Sequence, residues 1–107
     1  ALPISENQHV DPVLEKSLDE AAIYMVPCLN PDGFEYSRKH FSFWRKNRRK
    51  NADGTIGVDL NRNFSIGWTK QSNTSSNIYG GEAPFSEAET RAIKQFVDTH
   101  ENITMAF

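Results

Sequence analysis

The sequence predicts an α/β chain, a partial mixed sheet with flanking helices, and two signals of different period carry that reading. Residues 21–29 form a continuous apolar run containing Ile23, Tyr24 and Val26, with the length and composition of a buried strand. Residues 86–99 place Ala88, Ala92, Ile93, Phe96 and Val97 at helical spacing. The order helix–strand–loop–strand–helix–strand is that of α/β architecture.

Each element has a local cause. Asp11-Pro12 opens a helix, Asp as N-cap and Pro at the first helical position, with Leu14 and Leu18 on one face. Pro27 bends the following strand or confines it to an edge. Asn30-Pro31-Asp32-Gly33 is a turn signal, with Pro in the second turn position and Gly in the fourth. Residues 34–53 are polar, aromatic and basic without a period, so irregular structure with at most a short helical turn is expected. Asn51-Ala52-Asp53-Gly54 is a second turn, leading into a short strand over residues 55–59. Residues 65–83, rich in Ser, Asn, Thr and Gly, form a long surface loop of the kind that is functional or pinned by its surroundings. Ser86 and Glu89 make a capping box, and residues 103–107 begin a last strand. A chain that stops inside an apolar strand reads as a segment of a larger domain.

With 107 residues, one domain is the ceiling, and 37% hydrophobic residues make a lean core. No apolar run approaches the roughly 18 residues of a membrane span. Cys28 stands alone, which excludes an intrachain disulfide and a four-cysteine metal site and leaves the compartment open, secreted or cytoplasmic. The net charge of −2 conceals an asymmetry. Residues 1–27 hold five acids and one Lys, whereas residues 38–50 hold seven Lys or Arg and no acid. Such a basic block suits either nucleic acid or a solvated, salt-bridged surface.

Few residues have the spacing of a chemical engine. His9, His40 and His100 lack a His-x-x-Glu or His-Glu-x-x-His partner, and His100 fits a place at the negative end of a helix. Cys28 has no neighbouring base, and no Gly-x-Ser-x-Gly elbow or phosphate loop occurs. The stretch Gly57-Val58-Asp59-Leu60-Asn61-Arg62-Asn63-Phe64 is different. A guanidinium offers two parallel donors to a carboxylate, and a neighbouring Asn adds a third. Arg62 therefore suits either a carboxylate receptor or an ion pair with Asp59, and Arg45 either a substrate contact or a surface cation stacked by Trp44.

Five motifs in order carry a resemblance: Asn30-Pro31-Asp32-Gly33-Phe34, Trp44-Arg45-Lys46-Asn47-Arg48, Gly57 through Phe64, Tyr79-Gly80-Gly81, and Pro84-Phe85-Ser86-Glu87-Ala88-Glu89-Thr90. Together they resemble the zinc carboxypeptidases of the A/B/T type, peptidase family M14, from about residue 21 to the end. The resemblance implies a zinc-dependent exopeptidase that removes C-terminal residues from peptides. It makes Arg45 the catalytic residue that stabilises the oxyanion, and Asn61 and Arg62 the substrate-binding pair for the terminal carboxylate. The family's zinc ligands and catalytic Glu have no match in these residues, so no metal ligand is assigned here. Residues 1–107 then read as an incomplete segment of one catalytic domain, inactive in isolation, whose partners are a peptide C-terminus and the remaining parts of that domain. Two other readings stand beside it: a metal-free carboxylate-binding module, and a nucleic-acid binder using residues 38–50.

Overall fold

The computed structural model describes residues 21–106, and the helix expected after Asp11-Pro12 lies outside them. Two α-helices and a short 3-10 turn are the regular elements among the described residues: α1 over Pro31–Lys39, the turn over Leu60–Arg62, and α2 over Ala88–Thr99.

Helix α1 corrects the expectation of a turn leading into irregular chain. Asn30 is its N-cap, its Oδ1 accepting from Gly33 N–H at 3.0 Å, and Pro31 takes the first helical turn. The same Asn-Pro-Asp-Gly letters serve a turn or a helix start, because both need an Asx acceptor and a Pro with fixed φ. Asp32 in the first turn and Arg38 and Lys39 in the last complement the helix dipole. Asn30 Nδ2 also donates to Lys46 O at 3.1 Å, fastening the helix start to the basic segment.

Helix α2 forms nearly where expected, but without the capping box. Glu87 is its N-cap, and no side chain caps it. Ser86 Oγ is engaged elsewhere, donating to Glu87 Oε2 at 2.7 Å and accepting from Asn63 Nδ2 at 2.9 Å. At the far end His100 Nδ1 lies 2.7 Å from Phe96 O, and its ring stacks on Phe96 at 3.9 Å. The buried side chain of α2 is Thr90, while Ile93 and Phe96 are half-buried and Val97 exposed.

The mixed sheet is not seen among the described residues. Residues 21–28 are exposed and make no strand pairing, with Ile23, Tyr24, Met25 and Val26 in the open and Cys28 exposed as well. Residues 103–106 likewise pair with nothing among them. A strand exists only through a neighbour's backbone, so an apolar run with no neighbour among these residues stays unpaired. Residues 55–59 come closer. Asn51 through Gly54 make the expected turn, Gly54 N–H donating to Asn51 O at 3.0 Å, and Lys50 and Ile56 form one antiparallel bridge. Beyond it the pairing continues without regular register: Gly57 N–H donates to Arg49 O at 2.7 Å and Asn47 N–H to Val58 O at 2.9 Å, while Asn47 Oδ1 accepts from Val58 N–H at 2.8 Å and from Arg49 N–H at 3.2 Å. Gly57 sits in this crowded place at φ +96°, and a Cβ there would lie 2.7 Å from Asn47 O.

The interior reflects this. Val58, Leu60 and Tyr79 are the buried apolar residues among those described, outnumbered by buried Lys46, Asn47, Asn51, Asp59, Asn63, Glu87 and Thr90. Irregular backbone cannot satisfy itself, so buried amides and carboxylates supply the missing partners. The loop over residues 65–83 is pinned in the same way. Trp68 Nε1 donates to Gly80 O at 3.0 Å, Gly80 N–H donates to Gln71 Oε1 at 3.1 Å, and Thr74 bonds Asp53.

Candidate carboxylate-binding site

The site is built on the 3-10 turn. Asp59 is the turn's N-cap, its Oδ1 accepting from Asn61 N–H at 3.1 Å while its carbonyl accepts from Arg62 N–H at 2.9 Å. On the other side Asn63 is fully buried, its Nδ2 donating to Gly80 O at 2.8 Å and its Oδ1 accepting from Glu87 N–H and Thr90 Oγ1. Between these two anchors Asn61 and Arg62 are exposed.

Both line a cleft of about 180 Å³ whose other walls include Ile66, Trp68, Gln71 and Gly80. Among the described residues no carboxylate pairs with the Arg62 guanidinium. Gly80 presses against Arg62 closely enough that a Cβ would meet Arg62 O at 2.7 Å and Arg62 Cβ at 3.2 Å. The long loop thus returns to form the floor under the arginine. Chemically, the cleft offers a guanidinium fork and a carboxamide to a small anion.

Arg45 stands apart from this cleft. Its Nη2 lies 3.1 Å from Asp59 Oδ2, and the side chain is about half exposed. The ion pair that the sequence offered to Arg62 therefore belongs to Arg45. The aromatic stacking considered for Arg45 belongs to its neighbours: the Arg48 guanidinium lies 3.6 Å from the Tyr36 ring and 4.6 Å from that of Trp44, and Lys46 Nζ 5.5 Å from Trp44. Lys46 is buried with one long bond to Thr74 O at 3.4 Å. Burial and the nearby Arg48 pull its pKa down, against the pull of Asp59.

Beneath the turn lies a network that sequence reading missed. Glu87, 2% exposed, accepts from Asn47 Nδ2 at 2.7 Å, Arg49 Nη1 at 2.6 Å and Ser86 Oγ at 2.7 Å. Burial alone would raise its carboxyl pKa, but these donors outweigh burial and lower it. The signal was present for Asp59, an Asx residue two before the display pair, which marks a local cap. No local pattern marks Glu87, whose partners Asn47 and Arg49 lie 40 and 38 residues away.

Of the basic block, Arg38 and Lys39 pair with Glu35, Arg45 with Asp59, and Arg49 with Glu82 and Glu87. Among the described residues no three His, Cys, Asp or Glu side chains converge to hold a metal ion. His40 packs on Tyr36 at 4.9 Å and His100 on Phe96, so neither is turned to a shared centre.

Known proteins are similar to this chain in sequence and in fold. Mast cell carboxypeptidase A of Mus musculus is 41% identical over 99 residues, covering 89% of this chain and 24% of that protein. Carboxypeptidase A1 of Sus scrofa is 37% identical over 107 residues, covering 96% of this chain and 26% of that protein. The chain thus spans about a quarter of the length of these relatives. Carboxypeptidase A from Helicoverpa armigera superposes with a TM-score of 0.66 at 35% identity, over 72% of this chain and 20% of that one. Bovine thrombin-activatable fibrinolysis inhibitor, solved in complex with tick carboxypeptidase inhibitor, gives 0.62 at 38% identity, over 70% of this chain and 27% of that one. The zinc carboxypeptidase family, Peptidase M14, matches residues 5–107, and the chain belongs to it.

Proposed function

We propose that this chain is an incomplete segment of a single metallocarboxypeptidase catalytic domain that removes C-terminal residues from peptides. In that domain Asn61 and Arg62 bind the substrate's terminal carboxylate, and Arg45 stabilises the oxyanion. The observation that supports this most is the exposed Asn61-Arg62 pair, held between buried Asp59 and Asn63 and facing a cleft, with no acid on Arg62 among the described residues. An arginine kept open on a rigid turn, with no carboxylate partner of its own among the described residues, is set for a ligand's carboxylate. Arg45, half exposed, can aim its other N–H groups at charge that develops in the transition state.

The described residues do not fit a zinc site by themselves, and none of these roles passes through the metal. Zinc dependence in the whole protein is therefore carried by family membership. The apolar run over residues 21–29 and residues 103–106 await sheet neighbours from the rest of the domain.

Replacing Arg62 by Ala in the full-length protein tests the receptor. Loss of a charged hydrogen-bond partner costs about 2–3 kcal/mol, or roughly 30- to 150-fold in kcat/KM. The loss is confined to peptides with a free C-terminal carboxylate, and the same peptides carrying a C-terminal amide should be cleaved no worse than before. Full efficiency of Arg62→Ala toward free C-termini would refute the assignment.

A further inference from the structure

We propose that Trp68 and Gln71 are positioning residues that set the affinity for the substrate's terminal carboxylate by holding the Gly80 peptide against Arg62. This rests on the receptor role proposed for Asn61 and Arg62. Gly80 is buried, and both of its backbone groups are taken by side chains from the outgoing limb of the long loop, nine and twelve residues earlier. Gln71 Oε1 accepts from Gly80 N–H at 3.1 Å, and Trp68 Nε1 donates to Gly80 O at 3.0 Å. Asn63 Nδ2 donates to the same oxygen at 2.8 Å. Gly80 in turn lies against the arginine's backbone, where a Cβ on it would meet Arg62 C at 3.3 Å as well as Arg62 O and Cβ. Trp68, Gln71 and Gly80 also wall the cleft that Asn61 and Arg62 line.

Arg62 is the last residue of a three-residue 3-10 turn, a structure whose own hydrogen bonds are of poor geometry and give its end little support. Contact at the Arg62 carbonyl and Cβ fixes the plane of that peptide and the direction in which the long, exposed side chain leaves it. Gly80 keeps this contact only while its own peptide is held. It lies in irregular chain, so its N–H has Gln71 as acceptor in place of a ladder partner, and a buried N–H without an acceptor would draw the backbone toward another. The loop thus closes on itself at the point where it meets the arginine, and a ligand's carboxylate finds the guanidinium already aimed.

Kinetics of loop variants in the full-length protein, on peptides with a free C-terminus, test this. Gln71→Leu keeps the bulk but removes the acceptor, so KM should rise about fivefold while kcat stays within about twofold. Trp68→Phe keeps a ring in the wall and removes the donor; Asn63 still holds Gly80 O, so KM should rise only about threefold. In an Arg62→Ala background, adding Gln71→Leu should change kcat/KM by less than about twofold, since the group to be positioned is already gone. If the two effects instead multiply, or if Gln71→Leu lowers kcat with KM unchanged, Gln71 supports the fold alone and the positioning role is refuted. If Arg62→Ala keeps full efficiency, the receptor reading fails and this inference fails with it. If Arg62→Ala loses efficiency while both loop variants keep the wild-type KM, the receptor stands and the positioning is refuted. Should the loop variants not fold, hydrogen exchange of the Trp68 indole N–H in the wild-type protein decides, because coupling between sites is reciprocal. The amino acid released from the assay peptide should slow that exchange at saturation, and its amide should not; equal exchange with both would overturn the inference.

Discussion

Replacing Glu87 should destabilise the protein far more than an ordinary surface acid would, by an amount set by its three donors. Asn47 and Ser86 make neutral-donor bonds at 2.7 Å each, and Arg49 a charge-assisted one at 2.6 Å. Neutral bonds contribute about 1 kcal/mol each and a charged one about 2. The guanidinium is about one-third exposed, so solvent screens its share and the sum is nearer 3 kcal/mol than 4. Glu87→Ala in the full-length protein should therefore lose about 3 kcal/mol at pH 7, leaving Asn47 Nδ2 without its acceptor. Glu87→Gln, which keeps the shape, should lose about 2. The pH dependence has a definite sign. The folded carboxyl titrates below its ordinary value of 4.5, so its contribution is complete above that pH and is lost as pH falls through the folded value. The gap between wild type and Glu87→Gln, read by urea unfolding with circular dichroism, should close below about pH 4.5. A loss under about 0.5 kcal/mol at pH 7, or a gap that widens in acid, would refute the argument.

The geometry predicts two other outcomes. Gly80→Ala should push on Arg62 O, from which the new Cβ would lie only 2.7 Å, so kcat/KM toward free C-termini should drop about tenfold and the unfolding midpoint should fall as well, because the clash is with backbone. Equal activity for the variant would show that the floor of the cleft yields. The full-length protein should pass a polyanion column without retention through residues 38–50, because Arg38, Lys39, Arg45 and Arg49 are paired and Lys46 is buried. Steeply salt-dependent retention, lost on replacing Arg48 and Lys50, would restore the nucleic-acid reading.

What the sequence made legible was local. Helix α2 and the turn over residues 51–54 are determined by neighbours within a few residues, and the polar composition of residues 65–83 marks an irregular loop. The failures share a cause in distance. The capping box failed because Asn63, more than twenty residues away, claimed Ser86, and the pairing beyond Lys50 and Ile56 loses its regular register where the Asn47 side chain takes the Val58 N–H. Asn30-Pro31 suits a turn and a helix start equally, and only the residues after Gly33 decide between them. For residues 21–29 the composition states a preference for a sheet, but a strand needs a second backbone, and no described residue supplies one.

The run from Val58 to Asn63 shows why a site can be compressed into so few letters. Val58, Asp59 and Leu60 are buried, Asn61 and Arg62 are exposed, and Asn63 is buried again. A tight 3-10 turn reverses the direction of side chains within one step, so two donors can face outward while residues on both sides point in. Each inward residue does a different job: Val58 and Leu60 fill the small apolar core, Asp59 caps the turn, and Asn63 ties it to α2 and to Gly80. Shifting the pattern by one residue would bury the guanidinium and expose the cap, losing both binding and support. That is a physical reason for so short a run to display Asn61 and Arg62, the pair proposed to bind a carboxylate, while Arg45, fourteen residues before Asp59, meets it through the ion pair.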